Sequence, residues 1–214
     1  MKIAILGSGV VGETLAKGFL GDGHHVMRGT REPAKLADWH KGAGANASVG
    51  TFHDCAAFGD IVILSVKGAA AESIIADIGG ALGSKVVIDT TNPISETEKP
   101  DNAVIRYFTK QNESLMERLQ AKAPKARFVK AFNSVGAYVM VKPKFPMKPT
   151  MFICGNDADA KKDVSGLLDA FGWNVEDLGA VEAARPIEAL CQLWCIPGFL
   201  RNDWAHAYAN MKLG

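Results

Sequence analysis

No run of apolar residues in this chain approaches the roughly 18 that a membrane-spanning helix needs. The opening segment, MKIAILGSGVVG, pairs a basic residue with a short apolar stretch, but glycines begin at residue 7. A signal peptide would still be apolar there, so the stretch reads as a first strand and the expected location is cytoplasmic. Charge of one sign is not in excess either: 24 Lys+Arg stand against 23 Asp+Glu, a formal net charge of +1. That leaves no electrostatic footprint for nucleic acid or an anionic membrane, and neither is expected as a partner. Cysteine is sparse, and Cys55, Cys154, Cys191 and Cys195 form no CxxC pair. Buried thiols are expected rather than a metal site. The five histidines are scattered, and no Ser-His-Asp, Cys-His or paired-carboxylate constellation stands out. No catalytic acid or base is therefore assigned.

What remains is an ordinary globular composition. The 214 residues are 48% hydrophobic and 22% charged, enough for one sizeable α/β domain. Strand-like apolar runs occur over residues 2–7, 25–28, 60–66, 85–89, 127–132 and 150–154, with a further strand near 173–178. Helical spacing is read over 12–20, 69–82 and 158–171, and helices are expected from there to the C-terminus. The alternation predicts a doubly wound, mostly parallel sheet of Rossmann type with a helical C-terminal tail. A single domain over 1–214 is expected, with 1–135 as the nucleotide-binding half and 136–214 adding strands and helices. Residues 95–107 and 142–149 read as loops at the rim of a site or interface.

The densest signal is Gly7-Ser8-Gly9-Val10-Val11-Gly12, a GxGxxG between an apolar strand and an amphipathic helix. In that context Gly7 allows the tight turn, Gly9 lets a pyrophosphate approach the backbone, and Gly12 lets strand and helix pack closely. The helix start offers free N–H groups and a partial positive charge to the phosphates. An NAD site would place Asp or Glu about 20 residues on, against the ribose 2′-hydroxyl. Here the sequence is Arg28-Gly29-Thr30-Arg31-Glu32, with Lys35 one turn later. Arg31 can fork onto a 2′-phosphate, Thr30 can donate a hydroxyl and Lys35 adds charge, so NADP(H) is expected. Glu32 facing the ribose would instead favour NADH.

Further stretches follow in order: GTRE, DIVILSVK, VVIDTTNP, FVKAFNSVGA, MFICGNDADAKK and DLGAVEAARPIEAL. Together with GSGVVG they resemble the deazaflavin-dependent NADP oxidoreductases of the factor-420 type. They also look like the related N-terminal oxidoreductase domain of the STEAP metalloreductases. The resemblance covers roughly residues 1–192. It implies that Ser8, Gly9, Val10 and Val11 wrap the pyrophosphate, and that Thr30, Arg31 and Lys35 hold the 2′-phosphate. Ser65, Val66 and Lys67 would pass beside the nicotinamide-side ribose, although the family often carries Pro where Lys67 stands. Asn92, Pro93, Ala131 and Asn133 would flank the nicotinamide and the hydride acceptor. Independently, ligands of open parallel sheets sit beyond the carboxyl ends of the strands, where all these segments fall.

Hydride transfer needs positioning and exclusion of water more than acid–base chemistry, which agrees with the absent catalytic constellation. The expected activity is an NADP(H)-dependent oxidoreductase acting on a small redox acceptor, a deazaflavin or a flavin serving as co-substrate. NADPH-dependent reduction of a keto or imine substrate, and a non-enzymatic NADPH sensor, are the alternatives. The aromatics Trp194, Phe199 and Trp204, with Arg201, could form a pocket wall, core or the face of a homodimer.

Overall fold

The structure is a computed structural model that describes residues 1–213. The apolar run KIAIL forms β1 (Lys2–Leu6), and the glycine turn passes the chain into α1 (Val10–Gly21). After β2 (His25–Gly29) come α2 (Ala37–Gly42), β3 (Ala47–Gly50) and α3 (Phe52–Phe58). Then follow β4 (Ile61–Leu64), α4 (Gly68–Leu82), β5 (Val86–Asp89), α5 (Leu115–Lys122) and β6 (Arg127–Lys130). These six strands make one wholly parallel sheet in the order β3-β2-β1-β4-β5-β6. The order reverses between β1 and β4, so a crevice opens beyond their carboxyl ends.

Both faces of the sheet are covered, as parallel sheets require. Because side chains alternate along a strand, Ile3 and Ile5 pack with Leu15 and Phe19 of α1 on one face. Ala4 and Leu6 pack with Ile75 and Ile78 of α4 and Leu119 of α5 on the other. The remaining elements are β7 (Thr150–Ile153), α6 (Ala158–Ala170), β8 (Asn174–Asp177) and α7 (Ala184–Arg201).

Three features depart from the sequence-based expectation. The strands read at 150–154 and 173–178 do not join the main sheet. They pair with each other in parallel, and a single antiparallel bridge between Lys130 and Cys154 ties them to β6. The C-terminus is not helical throughout either. Asn202, with φ 56, ends α7 in the left-handed conformation that closes helices. The tail then returns beside β7, with Thr150 N–H donating to Tyr208 O at 2.8 Å. Finally, α2, β3, α3 and α5 occupy stretches in which no element was expected.

Helix α5 shows why a short helix holds here. Ser114 and Glu117 form a reciprocal capping box, and Ser114 is fully buried. Ser114→Ala should therefore lower stability by about 1–2 kcal/mol, the upper part of the range for N-caps, measured by urea unfolding.

Candidate functional site

The crevice is built on the turn after β1. Gly7 has φ +144, and a Cβ there would overlap the carbonyl oxygen of Ser65 at the end of β4. Only glycine fits both demands. Ser65 Oγ donates to Leu6 O at 3.0 Å, which fixes the two strand ends side by side. A Cβ on Gly12 would approach Ser65 Oγ at 2.9 Å and Gly7 O at 3.0 Å, so α1 lies directly against the turn. At Gly9 a Cβ would meet nothing within 4 Å, because that atom faces the open crevice. Helix α1 has no side-chain N-cap, so its first N–H groups point into the same space.

Two cavities continue from this turn, one on each side of the segment that links β4 to α4. A cavity of about 380 Å³ is lined by Gly7, Ser8, Gly9, Thr30, Arg31, Ser65, Val66 and Lys67, together with Phe52, Ala70, Ser73 and Ile74. A second, of about 310 Å³, is lined by Val11, the same Ser65–Val66–Lys67 segment, Gly68, Ala69, Thr90, Thr91, Asn92, Ile94 and Glu96. Lys67 pairs with Glu96 at 2.6 Å across the mouth of the second cavity. A further hollow, of about 840 Å³, lies elsewhere, between the irregular segment around residues 98–113 and α7. Several of its charges are already engaged, Arg106 by Asp101 at 3.1 Å, Glu113 by Arg118 at 2.6 Å and Arg185 by Glu117 at 2.5 Å.

Most residues singled out from the sequence thus converge on one groove, but not all. The Val10 side chain is exposed and lines neither cavity, and Gly12 is buried. Lys35 lines neither cavity. It is held by Glu32 at 2.9 Å, and that pair leaves Thr30 and Arg31 facing the groove. Pro93 and Ala131 are buried, and Ala131 N–H donates to Asp89 O at 3.1 Å.

Asn133 is also buried. Its amide donates to Asn92 Oδ1 at 3.0 Å and to Ile187 O at 2.9 Å, while Asn92 Nδ2 donates to Asn133 O at 2.7 Å. Asn133 therefore braces Asn92, and Asn92 is the member of the pair that lines the groove. The bend that turns Asn133 inward is unusual: Phe132 is buried with φ 65, a conformation a bulky residue adopts only under strong constraint.

Below this pair sits a charged cluster that sequence reasoning missed. Lys130 Nζ donates to Asp89 Oδ2 at 2.8 Å, Glu188 Oε1 at 2.8 Å and Thr91 O at 2.7 Å, and all three charged side chains are buried. Burial alone would push the ammonium down, but Asp89 and Glu188 more than offset it and hold its pKa above the ordinary lysine value. The groove residues Phe52, Ala70, Ser73 and Ile74 were missed as well. A signal existed for Phe52, since Thr51-x-x-Asp54 is a capping box that announces α3.

The cysteines are all buried and unpaired. Burial pushes the thiols of Cys55 and Cys154 up to about 12, so they are poor nucleophiles. Trp194 is core, packed on Trp204 and on His206 with ring centres 5.6 and 5.2 Å apart, while Phe199 and Arg201 are exposed. No helix among the described residues is long and apolar enough to cross a membrane.

A parallel sheet in this order, with a glycine turn at its switch point and a groove along the strand ends, defines a dinucleotide-binding protein of Rossmann type. The chain belongs to the F420-dependent NADP reductase family and is an NADP-dependent oxidoreductase. The model of the family described as "NADP oxidoreductase coenzyme F420-dependent" matches residues 2–93. The F420-dependent NADP reductase of Methanocaldococcus jannaschii is 31% identical over 206 residues, covering 90% of this chain and 90% of that protein. The metalloreductase STEAP3 of Rattus norvegicus is 29% identical over 203 residues, and there the matched part is 93% of this chain but only 39% of the relative's length. Among solved structures, a candidate F420-dependent NADP reductase from Arthrobacter sp. FB24 superposes with a TM-score of 0.92 at 30% identity, over 99% of this chain and 100% of that one.

Proposed function

We propose that the chain, as one domain, transfers a hydride between NADPH and a planar acceptor, a deazaflavin or a flavin, bound at the Asn92 end of the groove. The observation that carries the coenzyme choice is at the opposite end. Thr30 and Arg31 line the groove, whereas Glu32, the acid that would favour NADH, lines neither cavity and is engaged by Lys35. The residues present suit the coenzyme: open space above Gly9, uncapped N–H groups on α1, and an exposed guanidinium at the ribose end.

When bound, the nicotinamide supplies the hydride, and the protein's part is to grip and to orient. Ser8, Gly9 and the first N–H groups of α1 hold the diphosphate. Ser65 and Val66 form the wall that both cavities share, so the coenzyme runs past them from Arg31 toward Asn92. Asn92, locked by Asn133, offers its amide to the carboxamide or the acceptor ring. Thr90, Thr91 and the Lys67–Glu96 pair close the sides and limit water. No side chain is required to move a proton for the hydride step itself.

Two measurements test this reading. Arg31→Ala should weaken NADPH by about 1–3 kcal/mol, the size of a hydrogen bond to a charged group, and leave NADH nearly unchanged. Equal losses for both coenzymes would show that Arg31 does not meet the 2′-phosphate. The acceptor is tested by following loss of reduced-nicotinamide absorbance against a panel of deazaflavin, FMN, FAD, quinones, imines and keto acids. Turnover is expected with the deazaflavin or the flavins. Turnover with an imine or keto acid alone would move the assignment to that chemistry, and binding without any turnover would indicate a sensor.

A further inference from the structure

Arg28, the fourth residue of β2, is almost completely buried at 1% exposure. Its Nη2 donates to Gly9 O at 3.1 Å and Gly7 O at 3.4 Å, and its guanidinium carbon sits 4.8 Å over the Trp39 ring. Its Nε is buried without any partner. No carboxylate lies within ion-pair distance among the described residues, and Glu13 in the first turn of α1 is engaged by Lys17 at 2.6 Å. A buried cation is normally paired. This one is instead placed at the start of α1, where the helix dipole is already positive and opposes it. Burial pulls its pKa down, and the charge of Glu13 only partly opposes that.

The position has a purpose if an anion arrives on the other side of the turn. The carbonyls that accept from Arg28 belong to the peptide units whose N–H groups are those of Ser8 and Val10. A cation on the oxygen polarises the unit and strengthens its N–H as a donor. We propose that Arg28 is the buried counter-charge of the diphosphate site, acting through the Gly7 and Gly9 peptides on any dinucleotide bound there. This rests on the coenzyme reading above, and it assigns the guanidinium a task separate from that of Arg31. Arg31 discriminates between the two coenzymes. Arg28 serves the group they share.

The test compares three proteins by titration with NADPH and, separately, NADH. Arg28→Gln retains an amide donor for the two carbonyls but removes the charge, and Arg28→Lys retains the charge without the planar fork. The Gln variant should lose about ten- to a hundred-fold in affinity for both coenzymes in parallel, as expected for removing one charge several ångströms from two phosphates. The Lys variant should lose less than the Gln variant, since the charge survives although the planar fork and its stacking on Trp39 do not. The wild-type dependence of NADH affinity on salt should flatten in the Gln variant and persist in the Lys variant.

Gln binding both coenzymes as wild type does would overturn the inference and leave Arg28 a brace for the loop. A loss confined to NADPH would overturn it too, by assigning Arg28 to the 2′-phosphate. If the Gln protein does not fold, the Lys protein decides alone: retained NADH affinity supports the counter-charge, and its loss overturns it. A wild-type protein that binds neither coenzyme overturns this inference together with the coenzyme reading, and so is distinguished from every outcome above.

Discussion

Lys130→Met is expected to cost about 3–5 kcal/mol of folding stability, because it strips the counter-ion from two buried carboxylates. The wild-type cluster is fully satisfied. Lys130 uses all three of its donors, on Asp89, Glu188 and Thr91. The second carboxylate charge is met by main-chain donors: Leu115 and Met116 at the start of α5 donate to Glu188 at 2.9 and 3.1 Å. Thr91 donates to Asp89 from its N–H and its hydroxyl, at 2.9 and 2.7 Å. Methionine fills much of the same space but leaves Asp89 and Glu188 facing each other without a cation. For a domain of this size the loss corresponds to a fall in Tm on the order of 10 °C.

The pH dependence separates this mechanism from a simple packing defect. In the wild type the lysine's folded pKa lies above its unfolded value, so its contribution is complete below the ordinary lysine pKa and is lost only as the pH rises through the folded one. It is therefore intact across neutral pH. In the variant the penalty comes from uncompensated carboxylates, whose protonation is favoured in the folded state. The deficit against wild type should then shrink as the pH falls from neutral toward the carboxylate range. A deficit that stays constant from pH 7 to 5 would point to packing rather than charge. The measurement is paired thermal unfolding of the two proteins at each pH.

This cluster also marks where the sequence stopped being legible. The glycine turn was readable because every residue in it acts on its immediate neighbours: Gly7 on the turn, Gly12 on the packing of α1. The Thr30–Arg31 end was readable for the same reason, since it follows β2 directly. Lys130 lies in FVKAF, where a lysine in a strand reads as solvent-facing, and its partner Glu188 is 58 residues away on α7. Arg28 was visible only as one of several basic residues. Its burial depends on Trp39 and on the underside of a turn 21 positions earlier. The apolar run at 150–154 and the strand read near 173–178 announced β7 and β8 but carried no information about which strand each would pair with. Asn133 was expected at the ring, yet the left-handed Phe132 turns it inward, and a φ above zero at a phenylalanine leaves no trace in composition.

Gly68→Ala should slow hydride transfer by about a hundred-fold while changing coenzyme affinity far less, because it displaces the end of the groove proposed to meet the reacting ring. Gly68 opens α4, and a Cβ built on it overlaps the carbonyl oxygen of Asn92 and lies 3.3 Å from Leu115 Cδ2. The first obstacle is backbone, so it cannot swing aside as a flexible side chain would. Helix α4 and the Asn92 turn must separate by about 1 Å, at a cost typical of overpacking, about 1–3 kcal/mol. The proposed diphosphate grip at Gly7 and Gly9 is braced by Ser65 rather than by Gly68, although Ala70, Ser73 and Ile74 of α4 line the same cavity. What moves is Asn92 and, through their mutual hydrogen bonds, Asn133. Rates with a saturating acceptor, set beside the Kd for NADPH from titration, separate the two effects. An unchanged rate in a folded variant would mean that Asn92 does not orient the ring. A loss of rate accompanied by an equal loss of affinity would mean instead that the whole groove had collapsed.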